Sequence, residues 1–249
     1  MIKPFGLVCA TDSEFEILLQ NINNLEQIDV SGITFYKGEF QKKQVVICKS
    51  GIGKVASAIT IPVFYLQFQC QKIIFVGTAA AISPDLHIGD IVVSSGCVHH
   101  DFDARPFLEK CVVFSVGKKV IPAADYLVNV CLDASQKFVS SAQIDQKVLD
   151  EFQIVTQRIV SGVIVSGDQF ISSPEMKNSI LEFTPEAQCG EMEGAAVAQA
   201  CLQFKMDYCI VRVISDAGDS DASMDYDKFC DKLAGVVCFG ILKNVVEIM

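Results

Sequence analysis

The chain has 249 residues, 51% of them hydrophobic, and a formal net charge of −10 at pH 7. This length is enough for one large domain, and we treat residues 1–249 as a single unit. The negative charge argues against nucleic acid and anionic membranes as partners, because binding to either requires a basic surface.

Short β-branched runs alternate with helical patterns along the chain, which predicts an α/β fold with a mostly parallel or mixed central β-sheet flanked by helices. The predicted strands cover residues 5–10, 33–36, 45–49, 73–77, 91–95, 160–166 and 208–215. The predicted helices cover residues 13–21, 54–68, 123–134, 146–151, 174–182, 192–204 and 226–246. Residues 106–120 follow neither pattern, and we expect a loop there.

The cysteines and histidines indicate neither a metal site nor a disulfide framework. The eleven cysteines are scattered singly without a C-x-x-C pair, and the three histidines lack zinc-ligand spacing. The amino terminus lacks the basic start and the small-residue cleavage site of a signal peptide. We therefore expect a cytoplasmic protein with buried thiols and no metal or organic cofactor.

Polar residues cluster just after the ends of several predicted strands. Thr11 to Glu14 follow the first strand, Thr78 follows the strand 73–77, and Asp216 follows the last strand. A further group after residue 165 includes Phe170. Ligands of α/β sheets bind at the carboxyl ends of the strands, so these segments predict one site at that edge.

The segment GEMEGAAVA, residues 190–198, begins a predicted helix with two carboxylates. Acids in a first helical turn are often explained by the helix dipole alone. Residues two apart on a helix point in different directions, however, which suggests separate roles for Glu191 and Glu193. We expect Glu193 to face the strand ends, where the hydroxyls of a sugar can donate to its carboxylate.

Asp216 has two interpretations, either a turn aspartate before glycine or an acid whose pKa is raised by burial so that it delivers a proton. Arg212 lies four residues earlier and would share its face on a regular strand, which would lower that pKa. Phe170 is either a core residue or a stacking surface. The Gly-rich segment at residues 50–54 fails the spacing of a phosphate loop, and we interpret it as a tight turn.

Five segments together resemble the 5′-methylthioadenosine/S-adenosylhomocysteine nucleosidase family, within the purine nucleoside phosphorylase-type superfamily. They are CATDSEFE, KSGIGKVAS, VSGDQFI, GEMEGAAVA and VRVISDAGD. The resemblance extends from residue 5 to about residue 242 and implies a nucleoside phosphorylase-like fold. It also implies release of adenine by hydrolysis of an N-glycosidic bond, a small-molecule nucleoside as the binding partner, and a homodimer.

The resemblance also implies catalytic roles. Glu14 matches the general base that activates water, and Asp216 matches the acid that protonates purine N7, with Ser215 beside it. Arg212 and Thr78 fall where the family holds the attacking water.

The same resemblance implies substrate contacts. Glu193 matches the carboxylate that binds the ribose hydroxyls, and Met192 packs against the sugar. Phe170 matches the aromatic ring stacked on adenine, and the backbone of Ile171 would read the edge of the base.

The chain departs from the family at residues 77–81 and, separately, on the side of the 5′ substituent. Residues 77–81 read GTAAA where the family has GSAGG, and Tyr226 stands where phenylalanine is usual. The segment after Asp103 diverges, although it usually contacts the 5′ substituent bound by the neighbouring subunit, and we place Phe107 there. A phosphate-dependent nucleoside phosphorylase and a hydrolase of another 5′-modified nucleoside, such as futalosine, remain alternatives.

Overall fold

The computed structural model describes residues 3–249. Ten strands are present: β1 Phe5–Cys9, β2 Asn23–Val30, β3 Ile33–Phe40, β4 Lys43–Lys49, β5 Lys72–Ala81, β6 Ile91–His99, β7 Ile121–Pro122, β8 Ile159–Ser166, β9 Ala187–Glu191 and β10 Asp207–Asp216. The helices are α1 Asp12–Gln20, α2 Lys54–Ala58, α3 Thr60–Leu66, α4 Asp125–Ser140, α5 Gln146–Glu151, α6 Pro174–Phe183, α7 Gly194–Gln203, α8 Ala222–Phe229 and α9 Gly235–Ile248, with a π-helical turn, Cys230–Ala234, before α9. No helix within these residues is long and apolar enough to cross a bilayer.

The central sheet is mixed and closes on itself. β5 pairs with β10, β10 with β6, β6 with β8, β8 with β9, and β9 returns to β5. A four-stranded extension, β1-β4-β3-β2, leaves this ring beside β5. The ring is possible because β5 and β10 are long, and nearly every residue in both is buried, as expected for strands covered on both faces.

The sequence prediction missed strands that lack an apolar pattern. β2 reads NNLEQIDV and is almost entirely exposed at the edge of the sheet, so no buried face marks it. β9 reads AQCGE, and its small and polar residues are buried only because β5 and β8 flank it. Because β9 pairs antiparallel with β5 through the last residues of both strands, the two carboxyl ends meet.

Two predicted helices have different limits in the structure. The helix predicted over 54–68 is divided at Ile59 into α2 and α3. Pro62 cannot donate to the carbonyl of Ala58, and its ring crowds that carbonyl, which explains the break. The helix predicted over 226–246 begins at Ala222 and contains the π-helical turn.

Candidate active site

One cavity, of about 150 Å³, lies where the ends of β1, β5, β8, β9 and β10 meet. All the predicted site residues except Phe107 line it, namely Glu14, Thr78, Phe170, Ile171, Met192, Glu193, Arg212, Ser215, Asp216 and Tyr226. The structure therefore brings together segments that are up to about two hundred residues apart in the chain.

The Glu14 carboxylate is buried and held at one end of the cavity. Its Oε2 accepts hydrogen bonds from the backbone N–H groups of Ala10 at 2.9 Å and Thr11 at 3.1 Å. Its Oε1 accepts from the backbone N–H of Thr78 at 3.0 Å and from the Thr78 hydroxyl at 3.2 Å. These donors fix the carboxylate between the end of β1 and the middle of β5, with no cation bound directly to it.

Gly77 allows Glu14 and Arg212 to approach the sheet closely. A Cβ at residue 77 would lie 2.0 Å from Nη1 of Arg212 and 2.9 Å from Oε1 of Glu14. Any larger residue there would displace both side chains, so this position requires glycine for steric reasons.

The two carboxylates of GEMEGAAVA do not both lie on a helix. Glu191 ends β9, Glu193 precedes the first residue of α7, and the helix begins at Gly194. The helix predicted over residues 192–204 is present as α7 but begins at Gly194, so the explanation of the two directions by helical geometry was wrong. A strand-to-helix turn separates the two side chains instead.

Glu191 is a structural anchor for that turn and for Arg212. Its carboxylate accepts from the backbone N–H of Glu193 at 3.0 Å and of Gly194 at 2.9 Å, and it also binds the hydroxyl of Ser166. It forms a buried ion pair with Nη2 of Arg212. Nearly all the acceptor capacity of Glu191 is thus used by the protein, which leaves little for a ligand.

Glu193 has fewer hydrogen bonds from the protein than Glu191, so more of its carboxylate is available to a ligand in the cavity. Oε1 accepts from the backbone N–H of Gly53 at 2.8 Å, and Oε2 lies 3.3 Å from Nη2 of Arg212. Burial and the negative charge of Glu191 raise the pKa of Glu193, and Arg212 opposes them. A hydroxyl donor would relieve the cost of keeping this buried carboxylate charged.

Asp216 lies at the end of β10 and lines the same cavity as Glu14. Its Oδ2 accepts from the Ser215 hydroxyl at 2.8 Å, and its Oδ1 accepts from the backbone N–H of Gly218 at 3.0 Å. Burial raises the pKa of Asp216 to about 6, despite these two donors. The carboxyl group is therefore suited to carry a proton near neutral pH.

Arg212 does not act on Asp216 as the regular strand predicted. The pairing of β10 with β5 shifts register between Ile214 and Asp216, so the strand has an irregularity at that point. Arg212 turns toward Glu191 and Glu193, and it is not among the groups that shift the pKa of Asp216. The expectation that Arg212 would lower the pKa of Asp216 was therefore wrong.

The raised pKa of Asp216 predicts a pH-dependent cost to stability. The pKa is about 6 in the folded protein against a usual 3.8, so the cost of ionising the buried group develops between about pH 4 and pH 6, is complete above pH 6 and is absent below pH 4. Asparagine carries no charge, and we expect Asp216→Asn to be more stable than the wild type by about 3 kcal/mol at pH 8. The difference in stability between Asp216→Asn and the wild type should be much smaller at pH 4, and urea denaturation at pH 4 and pH 8 measures it. An equal difference at pH 4 and pH 8 would show that charge is not its cause.

An aromatic pair forms one wall of the cavity. The rings of Phe170 and Tyr226 meet edge to face, with their centroids 5.8 Å apart. Phe170 is 42% exposed, which a core residue would not be, so the alternative of a stacking surface fits better. Phe107 is 82% exposed and does not line this cavity, so its contact with the 5′ substituent bound by a neighbouring subunit stays a prediction.

The Gly-rich turn predicted at residues 50–54 is also part of the site. Gly51 and Gly53 have positive φ angles, of 80° and 99°, which glycine adopts without strain. Ile52 lines the cavity, and the backbone of Gly53 holds Glu193. The sequence marked the turn but carried no signal that it would meet a residue 140 positions away.

The charges in the cavity restrict its ligand. Arg212 is the only cationic residue among those that line it in the described chain, and Glu191 and Glu193 already bind its guanidinium. Among residues 3–249, no cluster of His, Cys, Asp or Glu is arranged to hold a metal ion. The arrangement suits a neutral ligand with hydroxyl donors at one end and a basic ring nitrogen at the other.

The chain is similar over almost its whole length to proteins that act on nucleosides. The sequence profile of the Phosphorylase superfamily matches residues 4–247. A 5′-methylthioadenosine/S-adenosylhomocysteine nucleosidase from Staphylococcus saprophyticus is 36% identical, over 92% of this chain and 93% of its own.

Two solved structures show the same fold. The 5′-methylthioadenosine/S-adenosylhomocysteine nucleosidase from Neisseria meningitidis, in complex with methylthio-immucillin-A, has a TM-score of 0.88 and is 27% identical in sequence. The comparison covers 100% of this chain and 100% of that one. Futalosine hydrolase from Helicobacter pylori has a TM-score of 0.83 and 31% identity, over 100% of this chain and 99% of its own.

Proposed function

Since the chain belongs to the phosphorylase superfamily and, within it, to the 5′-methylthioadenosine/S-adenosylhomocysteine nucleosidase family, we propose that it hydrolyses the N-glycosidic bond of these nucleosides and releases adenine. One observation carries the assignment of roles. Asp216, a carboxyl group with a raised pKa, and Glu14, a carboxylate that forms no ion pair within residues 3–249, line one cavity.

Asp216 supplies the proton for the leaving group. Cleavage of the bond between C1′ and N9 leaves an oxocarbenium-like ribose and places the bonding electrons on the base. A proton at N7 neutralises that charge, and the pKa of Asp216, about 6, makes its carboxyl group a competent donor. Phe170 stacks on the base, and the backbone of Ile171 binds its edge.

Glu14 accepts a proton from the water that attacks C1′. The Thr78 hydroxyl, which lies 3.2 Å from the Glu14 carboxylate, and the Arg212 guanidinium hold this water. Met192 packs against the sugar, and Glu193 binds its hydroxyls.

The ribose role of Glu193 gives a substrate-dependent prediction. We expect Glu193→Gln to lower kcat/KM for a ribonucleoside by a factor corresponding to about 1.5–3 kcal/mol, the value of a hydrogen bond to a charged group. The loss on the 2′-deoxy analogue should be much smaller, because one donor to the carboxylate is already missing. The kcat/KM values for the ribonucleoside and for its 2′-deoxy analogue are both measured by adenine release.

Glu191→Gln is the matched control for this experiment. The neighbouring carboxylate has donors from the protein itself, so its replacement should affect both sugars alike. If Glu193→Gln also affects both sugars alike, Glu193 does not bind the ribose.

Phosphorolysis is the closest rival reaction, and the charges of the cavity count against it. A phosphate ion requires convergent cations or backbone N–H donors. The one guanidinium at the cavity is paired with two carboxylates, and Glu14 occupies the end where the nucleophile would bind. A carboxylate about 4 Å from a phosphate oxygen costs on the order of 4 kcal/mol at an effective dielectric constant near 20.

A hydrolase of another 5′-modified nucleoside is the second rival, because the futalosine hydrolase of Helicobacter pylori shares the fold. A panel of adenosines with a 5′-methylthio, 5′-homocysteinyl or 5′-hydroxyl group tests the assignment, with futalosine as the competing substrate. The proposal requires the alkylthio substrates to have the highest kcat/KM. A preference for futalosine would replace the proposed substrate and keep the reaction.

We also propose that the enzyme is a cytoplasmic homodimer. All eleven cysteines are free, as in a reducing compartment. An apolar surface runs from the rim of the cavity over α2 and α3, where Ile52, Val55 and Leu66 are 58%, 73% and 70% exposed. A second copy would cover this surface, and Phe107 of one chain would then reach the 5′ substituent bound by its partner.

The dimer is tested by one charged substitution. We expect Val55→Asp to sediment as a monomer, because a buried carboxylate without a partner costs several kcal/mol. Val155 is also strongly exposed, at 93%, but lies on a loop away from α2 and α3, so Val155→Asp is the control. Identical sedimentation of the two variants would contradict this interface.

A further inference from the structure

Asp216 also borders a second cavity, whose other lining residues differ from those of the first. This rear cavity, of about 470 Å³, is lined by residues from the end of β5, the loop after it, the end of α5, the end of β10 and α8. They are Ala81, Leu86, His87, Ile88, Glu151, Phe152, Gln153, Asp216, Ala217, Asp225 and Lys228. The proton donor of the proposed reaction thus has an approach that the substrate does not occupy.

The proposed hydrolysis requires such an approach, and this inference rests on that reaction. In each turnover the bond between C1′ and N9 breaks, its electrons go to the base, and the oxygen of water bonds to C1′. Water gives one proton to Glu14, and Asp216 gives one proton to the base. The enzyme is left with an extra proton on Glu14 and a missing proton on Asp216, which both line the cavity.

Asp225 is the acid best placed to restore the missing proton. It is half-buried on α8, which packs against β10, and it lines the rear cavity together with Asp216. Glu151 is occupied by Lys232 at 2.5 Å and Lys228 at 3.4 Å. Asp225 belongs to no ion pair among the residues that the structure describes. His87 also faces this cavity, but its side chain is 79% exposed.

Burial and the charges around Asp225 shift its pKa in the direction that favours the protonated form. Burial, Asp219 and Asp221 raise the pKa of Asp225, and Lys228 lowers it. Asp225 and Asp219 both raise the pKa of Asp216, which shows that their negative charges act on the same carboxyl group.

We propose that the rear cavity is the route by which Asp216 regains its proton, and that Asp225 relays this proton from solvent. The carboxyl group of Asp225 gives its proton, through water in the cavity, to the Asp216 carboxylate and takes a replacement from solvent. Asp225 acts through Asp216 and makes no contact with the substrate.

The test compares Asp225→Asn with Asp219→Asn. Both variants remove a charge that raises the pKa of Asp216, but only Asp225 lines the rear cavity. We expect Asp225→Asn to lower kcat about tenfold in dilute buffer near pH 8, less than the 10²–10⁴-fold typical of direct proton donors, because water can still protonate Asp216 slowly. Near pH 6, where hydronium is more abundant, its kcat should approach that of the wild type.

Chemical rescue separates a relay from a purely electrostatic effect. High concentrations of imidazole should restore kcat of Asp225→Asn near pH 8, whereas Asp219→Asn should show no such response. A loss in Asp225→Asn that imidazole does not change, or no loss at all, would overturn the relay. Failure of the wild type to release adenine from any 5′-substituted adenosine would instead overturn the proposed function.

Discussion

Asp216→Asn is expected to lower adenine release at least about 10²-fold while the affinity for a stable nucleoside analogue changes by less than about tenfold. The amide oxygen of asparagine can still accept from the N–H of Gly218, and its NH2 group can donate to the Ser215 hydroxyl, which now donates to Oδ2 of Asp216. It cannot transfer a proton to N7. Turnover is measured by adenine release, and affinity by calorimetry with an analogue that is not cleaved.

Ser215→Ala is the control for this prediction. It removes the hydroxyl that lies 2.8 Å from Asp216 but leaves the carboxyl group in place, so it should retain most of the activity. If Asp216→Asn loses affinity as strongly as turnover, Asp216 chiefly binds the base. If turnover survives, the proton comes from another group.

Glu14→Gln is expected to retain ligand binding and to lose at least about 10²-fold in kcat, the usual effect of removing a general base. One oxygen of the glutamine can still accept from Thr78 or from the N–H groups of Ala10 and Thr11. The NH2 group of the glutamine would face N–H donors where a carboxylate oxygen now accepts, which can destabilise the fold. The unfolding transition is therefore measured together with kcat.

Thr78→Val separates orientation of Glu14 from its chemistry. The substitution removes the hydroxyl donor at 3.2 Å but keeps the backbone N–H donor at 3.0 Å. We expect a much smaller loss of kcat than in Glu14→Gln. A folded Glu14→Gln enzyme with nearly normal turnover would exclude Glu14 as the base.

The sequence predicted the location of the site better than its geometry. The apolar strands and the polar residues after them are local patterns, and they correctly placed Glu14, Thr78 and Asp216 at one cavity. The helix of the GEMEGAAVA segment was predicted correctly from Gly194 onward. The strand that ends at Glu191 was missed, because β9 is held by its neighbours and carries no strand pattern of its own.

Features that depend on long-range packing could not be predicted. The irregularity that turns Arg212 away from Asp216 arises in the pairing of β10 with β5, which no local pattern encodes. The same holds for the hydrogen bond from Gly53 to Glu193 and for the rear cavity behind Asp216. The exposure of Phe107 depends on the surface of the whole chain.

The central claim is that water, activated by Glu14, displaces adenine protonated by Asp216. The most direct measurement is adenine release from 5′-methylthioadenosine with and without inorganic phosphate, together with identification of the sugar product. Hydrolysis by water predicts the same rate in both conditions and a free sugar with a hydroxyl at C1′. Release that requires phosphate and yields a sugar 1-phosphate would contradict it.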